Sequence, residues 1–290
     1  MKEQIEAVQR MQDYIEKNLN EKITPAKLAQ AAMFSPWYCQ RLFKRLTGYA
    51  VVDYIRRLRL SKSALRLRDE GQRVLDAALD AGFESAEGYQ RAFFREFGCN
   101  PGEYAKNPVP LYLFIPYGVK YRELIKEECK MGKTDKIFLT VEERPARKVI
   151  IKRGIKATNY FEYCDEVGCE IWGLLTSICR ADSEPVCLWL PERYIKQGTS
   201  QYVQGVEVDL DYSGTVPEDM DVIELPASKY LVFRGEPFNE EDYIEVIASI
   251  QEAVENYDIS LLGYERDMTQ PRIQLEPRGE RGYIEMVGIK

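Results

Sequence analysis

The stretch SPWYCQRLFKRLTG (35–48) returns fifty residues later as SAEGYQRAFFREFG (85–98). Ser35 and Ser85, Gln40 and Gln90, Arg41 and Arg91, Phe43 and Phe93, Arg45 and Arg95, and Gly48 and Gly98 are identical pairs. Each copy opens on Ser, a good N-cap, and ends on Gly, a good residue just past a helix. In the first copy Trp37, Gln40, Arg41 and Lys44 fall on one helical face at i, i+3, i+4 and i+7. Cys39, Leu42, Phe43 and Leu46 fall on the opposite face, as a core stripe would. Arg41, Lys44 and Arg45 make the stretch cationic, and it holds no carboxylate.

A short Ala-rich segment precedes each copy: PAKLAQAAM (25–33) and VLDAALDAGF (74–83). The repeated unit is thus a short helix, a tight turn and a second helix, the layout of a double helix-turn-helix reader. Arg can bond guanine O6 and N7 together, and Gln can bond adenine N6 and N7. A Ser at a helix N-terminus suits a phosphate. The DNA-contact candidates are Ser35, Trp37, Gln40, Arg41, Lys44 and Arg45 in the first copy. In the second they are Ser85, Glu87, Gln90, Arg91 and Arg95. Between the copies, VVDYIRRLRLSKSALRLRDEG (51–71) reads as one long helix rich in Arg and Lys. As a spacer it would set two recognition helices about one DNA turn, ~34 Å, apart.

Charge divides the chain. Residues 1–107 hold 18 Lys+Arg and 14 Asp+Glu; residues 108–290 hold 22 and 33, and the total is −7. The seam falls near KNPVPLYLFIPYG (106–118), where Pro108, Pro110 and Pro116 interrupt regular structure. Three segments follow: a helical DNA-binding domain over 1–107, a linker over 108–134 and an α+β domain over 135–290. In the last, VEERPARKVIIKRG (141–154) aligns at an offset of 81 with VIELPASKYLVFRG (222–235). Helical stretches follow each copy at 158–179 and 239–257. Extended stretches come next, at 186–190 and 202–208, then 272–276 and 282–288. The domain is expected to be two β-α-β-β halves related by a pseudo-twofold axis. The fold class is therefore multidomain, all-α double helix-turn-helix followed by α+β.

Composition narrows the chemistry. The chain has no His, which removes Ser-His-Asp and Cys-His catalysis and, with no Cys pair at CxxC spacing, most zinc sites. No Gly-rich phosphate loop occurs in a strand–turn–helix context. Its seven Cys, at 39, 99, 129, 164, 169, 179 and 187, suit reduced thiols, with a redox role for the 164/169/179/187 group as the alternative. No apolar run approaches a membrane span and no signal-peptide segment opens the chain, so a cytoplasmic setting is expected. Recognition rather than catalysis is expected, without metal or cofactor.

Residues 5–106 resemble the AraC-type regulators, the Rob-like members above all. The resemblance is carried by SPWYCQRLFKRLTGYAVVDYIRRLRLSKSALRL (35–67), VLDAALDAGF (74–83) and AFFREFGCNPGEY (92–104). It implies a seven-helix, two-headed DNA-binding domain. It also implies DNA contacts at Trp37, Gln40, Arg41, Gln90 and Arg91, RNA polymerase as a partner, and action as a monomer. Glu87, Gly88 and Phe94 depart from the pattern, and a carboxylate at Glu87 would repel phosphate. The first helix is therefore expected to supply more of the affinity.

The acidic part carries 20 aromatic residues among 108–290, including Trp172 and Trp189. Rings and a buried carboxylate would suit an amphipathic organic cation. The segments 143–154, 202–209, 225–235, 272–277 and 282–289 are similar to the GyrI-like effector-binding domains. That resemblance implies a small, apolar, cationic effector and a Glu near the last strands, best matched by Glu276, with Glu207 and Glu285 as alternatives. Tyr230, Trp172, Trp189 and Tyr283 are the expected rings around it. The expected function is a promoter-binding transcriptional regulator, an activator, controlled by that effector. The alternatives are a ligand-independent regulator that binds a protein partner, or a GyrI-like hydrolase fused to a DNA-binding domain.

Overall fold

The computed structural model describes residues 2–120, 136–239 and 242–290. The chain divides into two compact units, Met1–Glu128 and Cys129–Lys290. The expected linker over 121–134 lies outside the described residues; 108–120 does not.

The first unit is helical: α1 (Lys2–Lys17), α2 (Pro25–Ala32), α3 (Pro36–Thr47), α4 (Val51–Asp69), α5 (Val74–Asp80), α6 (Ala86–Phe97) and α7 (Pro101–Lys106). The caps foreseen in the repeat are in place. The Ser35 hydroxyl accepts from Tyr38 N–H and the Ser85 hydroxyl from Gly88 N–H, while Gly48 and Gly98 close their helices at φ 84° and 74°. The turns differ in length. Met33, at φ 59°, takes the left-handed position after α2; after α5 that position falls to Gly82, at φ 78°. Phe34 and Phe83 then make the same return bond, to Ala29 O and Ala78 O. Glu84 is thus one extra residue before the second N-cap, so an offset of 50 aligns the second helices and 49 aligns the turns.

Two cores form. α1, α2 and α3 bury Val8, Met11, Ile15, Leu28, Leu42 and Phe43 with Val51, Tyr54 and Leu58 of α4. α5, α6 and α7 bury Ala77, Ala78, Tyr89, Phe93 and Tyr104 with Leu60, Ala64 and Leu67 of α4. Leu58 and Leu60 are two positions apart, about 200° around a helix, so α4 changes its buried face halfway along its length. Residues 111–119 then serve both cores: Leu111 and Leu113 enter the second, Phe114 and Val119 the first. Phe114 N–H donates to Ser61 Oγ at 2.7 Å and Val119 N–H to Gln12 Oε1 at 2.8 Å. The first dozen residues of the expected linker are therefore a strap of the helical unit. Its apolar residues, expected to lie in a linker interrupted by prolines, have buried sites to fill.

The second unit holds β1 (Ile137–Arg144), β2 (Arg147–Arg153), α8 (Tyr160–Val167), α9 (Ile171–Ile178), β3 (Val186–Trp189), β4 (Tyr202–Val208), β5 (Asp221–Leu225), β6 (Ser228–Gly235), α10 (Tyr243–Asn256), β7 (Arg272–Gln274) and β8 (Ile284–Ile289). One antiparallel sheet runs β1-β6-β8-β7-β3-β4-β2-β5. Exchanging β1 with β5, β2 with β6, β3 with β7 and β4 with β8 reproduces that order in reverse, as a pseudo-twofold axis requires. Each half carries one strand more than β-α-β-β. That strand pairs in the other half, β1 along β6 and β5 along β2. β1 is exposed along most of its length, with only Ile137 and Leu139 half-buried against the core beside α10, so its pairing leaves little trace in the sequence. Gly168, at φ 92°, splits the first helical stretch into α8 and α9. Among the described residues no helix is long and apolar enough to cross a membrane.

Arg59 of α4 ties the two helical halves together. Its Nε donates to Leu19 O at 2.9 Å and its Nη2 to Glu21 O at 2.7 Å, beyond the end of α1. A Cβ at Gly82 would fall 2.5 Å from Arg59 Nη1, whereas one at Gly98 would meet nothing. Gly98→Ala should cost about 1–2 kcal/mol, for its positive φ alone. Gly82→Ala should cost at least about 1 kcal/mol more, because the pinned guanidinium must release its carbonyls. Urea unfolding of the two variants checks this; equal costs would mean that the contact with Arg59 constrains nothing.

Candidate functional site

All eleven residues expected to face DNA are exposed on α3 and α6 or at their N-caps. On α3, Trp37 is 66% exposed although it is large and apolar. The Arg41 guanidinium stacks over its ring, 4.6 Å from the centroid. Arg45 donates to Gln4 Oε1 at 2.6 Å and is steered by α1. Among the described residues, Lys44, Gln40, Gln90, Arg91 and Arg95 make no ion pair or side-chain hydrogen bond within the fold, and Glu87 has no basic partner. These are the side chains that folding leaves uncommitted. Ser35 and Ser85 use an oxygen lone pair as N-caps and keep the hydroxyl hydrogen to donate.

The spacer behaves differently from its composition. Arg56 pairs with Asp53, Arg66 with Asp80 and Arg68 with Asp69. Arg57 pairs with Glu96 at 2.6 Å and lies over the Tyr49 and Phe114 rings. Arg59 caps backbone carbonyls, and with no carboxylate beside it burial lowers its pKa. The Arg residues of α4 are therefore spent inside the unit, and the cationic surface concentrates on α3 and α6.

A cavity of about 250 Å³ opens between α1, α4 and residues 113–118. Leu58, Leu113 and Phe114 wall it, and Asp13, Glu16 and Lys62 stand around it. None of the residues expected to hold an effector lines it.

The six expected effector residues are not brought together. Alternation along the strands sends them to two faces of the sheet. Tyr230 packs with Val149, Val203, Val232 and Met286 in the aliphatic core of one face. Glu207 shares that face, bonded to Arg144 and to Arg147 Nε at 2.7 Å, with Arg147 lying 5.6 Å from the Tyr230 centroid. Glu207 thus sits in a partly buried ionic cluster with Arg144 and Arg147 beside Tyr230, away from the other candidates. Tyr283 packs on the opposite face, beside Val246 and Ile250 of α10.

The Tyr283 face carries a polar network that the sequence reading only touched. Glu285 is fully buried. Tyr283 OH donates to its Oε1 at 2.5 Å and Arg272 Nε to its Oε2 at 2.6 Å. Arg272 also pairs with Glu255 and lies 4.8 Å over the Trp189 ring. Trp189 donates from Nε1 to Thr158 O at 2.8 Å and meets the Tyr202 ring edge-on at 4.9 Å. Tyr202 OH donates to Gln274 Oε1 at 3.1 Å. Burial raises the pKa of Tyr202 and of Tyr283, and pushes the Cys187 thiol up to about 12. Glu276, just past β7, is bonded to Arg278 at 3.2 Å; burial raises its carboxyl above the ordinary value, against the pull of Arg278. Trp172 is buried on α9, a helix that packs along β4. The same offset of 81 that aligns the halves pairs Tyr202 with Tyr283 and Gln204 with Glu285. A carboxylate in one copy where the other keeps a neutral amide was the signal that marks Glu285.

The geometry defines a class, a single chain with two capped helix-turn-helix heads on a shared helix. The comparisons agree with it. A family described as helix-turn-helix domain matches residues 28–107. The right origin-binding protein of Escherichia coli (strain K12) is 30% identical over 159 residues, which span 55% of this chain and 53% of that protein. The transcriptional regulator Rob of Salmonella typhimurium is 35% identical, with the same spans. The regulatory protein SoxS of Salmonella typhimurium is 31% identical over 97 residues, 33% of this chain and 91% of that protein. The chain belongs to the AraC family of helix-turn-helix transcriptional regulators. The match spans about half the length of the first two relatives.

Removing the charge on Arg272 should expose the cost of burying Glu285. Arg272→Met leaves that carboxylate without its cation and should destabilise the second unit by about 3–5 kcal/mol. Glu255→Gln, at the exposed partner, should cost less than about 1 kcal/mol. Urea unfolding followed by tryptophan fluorescence compares the two; a similar small loss in both would mean that Glu285 does not rely on Arg272.

Proposed function

We propose that the chain is a sequence-specific DNA-binding transcriptional regulator that reads two successive major grooves as a monomer. One observation carries this reading. The Gln–Arg pairs 40–41 and 90–91 stand exposed and without a carboxylate partner at matched places on α3 and α6, while Arg56, Arg57, Arg66 and Arg68 between them are paired with carboxylates of the fold. Gln40, Arg41, Gln90 and Arg91 reach base edges in this reading. Ser35, Lys44, Arg45, Ser85 and Arg95 hold phosphates and set the register. Trp37 keeps the Arg41 guanidinium extended by stacking, and Glu87 accepts from a cytosine amino group. The names of the relatives, a transcriptional regulator and an origin-binding protein, support the assignment to DNA.

In this proposal the chain is a cytoplasmic, non-catalytic activator that contacts RNA polymerase, and its second unit is a GyrI-like sensor of a small, apolar, cationic molecule. The helix-bearing face of the sheet supports the sensor reading, since Trp189, Tyr202 and Tyr283 cluster there around buried carboxyl and amide groups. Glu276 is the acid proposed to meet the cation, with Trp172, Trp189 and Tyr283 as the rings. Tyr230 and Glu207 fall outside the proposed site, on the other face. An effector that binds one arrangement of the chain better than another would shift its population and so its activity.

Arg41→Ala should weaken specific binding by about 1–3 kcal/mol in a mobility-shift titration, and Arg91→Ala by less. Unchanged specific affinity in Arg41→Ala would remove the DNA assignment, and equal losses would remove the asymmetry between heads. For the sensor, Glu276→Gln in the full chain should lower the affinity for a cationic dye such as rhodamine 6G. Equal affinity by fluorescence titration would exclude Glu276 from the site.

A further inference from the structure

α8 ends at Val167, and the chain turns back through Gly168 at φ 92° and ψ 150°. The Gly168 N–H donates to Cys164 O at 3.0 Å. That bond holds the glycine, and Cys169 directly after it, close to the last turn of the helix that carries Cys164. Here the two residues that meet are Cys164 and Cys169, and their thiols are in hydrogen-bonding contact. Both are reduced; Cys164 is half-buried and Cys169 exposed. The contact with Cys169 is the largest influence that raises the Cys164 thiol, and burial adds to it, so Cys164 is held protonated beside its neighbour. Cys164 also bonds to Tyr160 and faces Cys187 and Tyr243, the first residue of α10 in the other half. The remaining described thiols are less open: Cys39, Cys179 and Cys187 are buried, and Cys99 is half-buried beside Glu103.

We propose that Cys164 and Cys169 form a modification site that reduces a small hydroperoxide and closes to an intramolecular disulfide. A thiol must be reached by the oxidant, and Cys169 is the exposed member of the pair, which makes it the attacking one. Its thiolate sulfur attacks the terminal peroxide oxygen. The S–O bond forms, the O–O bond breaks, and the alkoxide or hydroxide released takes a proton from water. Cys169 is then a sulfenic acid. The Cys164 sulfur attacks the Cys169 sulfur; the S–S bond forms, the S–O bond breaks, and hydroxide leaves as water with the proton from Cys164. Two thiols have lost two electrons and two protons, and the peroxide has gained them. Neither step needs DNA, a metal or an effector. Cys164 stands on α8 beside Tyr243 at the start of α10, so the bridge fixes a side chain where the two halves of the sheet domain meet.

The test uses the full chain, reduced, desalted and treated with hydrogen peroxide, after which the remaining thiols are alkylated with iodoacetamide. Trypsin should release residues 157–180 as one peptide containing Cys164, Cys169 and Cys179. The expected peptide is lighter by two hydrogens, carries one alkyl group on Cys179, and recovers the two thiols of Cys164 and Cys169 after dithiothreitol. Cys169 should oxidise about tenfold faster than Cys99. In Cys164→Ser, which keeps the attacking thiol, the sulfenic acid at Cys169 should persist and be trapped by dimedone. Cys169→Ser should leave Cys164 alkylated. The proposal fails if Cys164 and Cys169 both remain alkylated while other thiols oxidise. It also fails if the bridge forms to Cys179 or Cys187, or if Cys164→Ser yields no trapped Cys169.

Discussion

One helix changes its buried face, and the architecture of the first unit follows from that. α4 gives Val51, Tyr54 and Leu58 to one core and Leu60, Ala64 and Leu67 to the other. Neither helix-turn-helix head can move without disturbing a helix that the other also needs. Arg59 closes the arrangement by bonding the chain beyond α1 while lying against Gly82 in the second head's turn. The strap 111–119 repeats the same sharing with Leu113 in one core and Phe114 in the other. Two heads on a rigid spacer lose less freedom on binding than two independent heads, which is the physical advantage of carrying both on one chain.

That division of labour was only partly legible in the sequence. The repeat, the Ser caps, the Gly stops and the apolar stripes of α3 and α6 were all readable, because local chemistry sets them. The fate of the basic residues in α4 was not. Arg57 finds Glu96 and Arg66 finds Asp80 across the fold, and only tertiary structure brings those partners together. Composition therefore overstated the spacer as a cationic surface. The strap was missed for a related reason: Leu111, Leu113 and Phe114 lie among prolines, and their value is in the cavities they fill. The unequal turns were hidden too, because Met33 adopts a left-handed conformation without the glycine that marks it in the second copy.

In the second unit the offset of 81 announced two related halves, and the sheet order confirms that symmetry. It did not announce the exchange of β1 and β5 between halves, since pairing partners leave little trace in a single sequence. The same gap explains the scattered effector residues. Tyr230 on β6 and Tyr283 just before the neighbouring β8 are both buried aromatics, yet their parity places them on opposite faces. Glu207 is neutralised by Arg144 and Arg147, whereas Glu285 is enclosed by Tyr283 and Arg272 beneath Trp189. The polar heart of this domain is thus the pairing around Glu285, which the mismatch of Gln204 with Glu285 in the internal repeat marked.

The account depends most on both heads of one chain engaging the same duplex. Methylation interference on a bound promoter fragment, at a protein concentration where the chain is monomeric, examines this directly. Two interference patches on one face of the DNA, about one helical turn or ~34 Å apart, are expected from a single bound chain. A single patch, or two patches that appear only when a second chain binds, would contradict it.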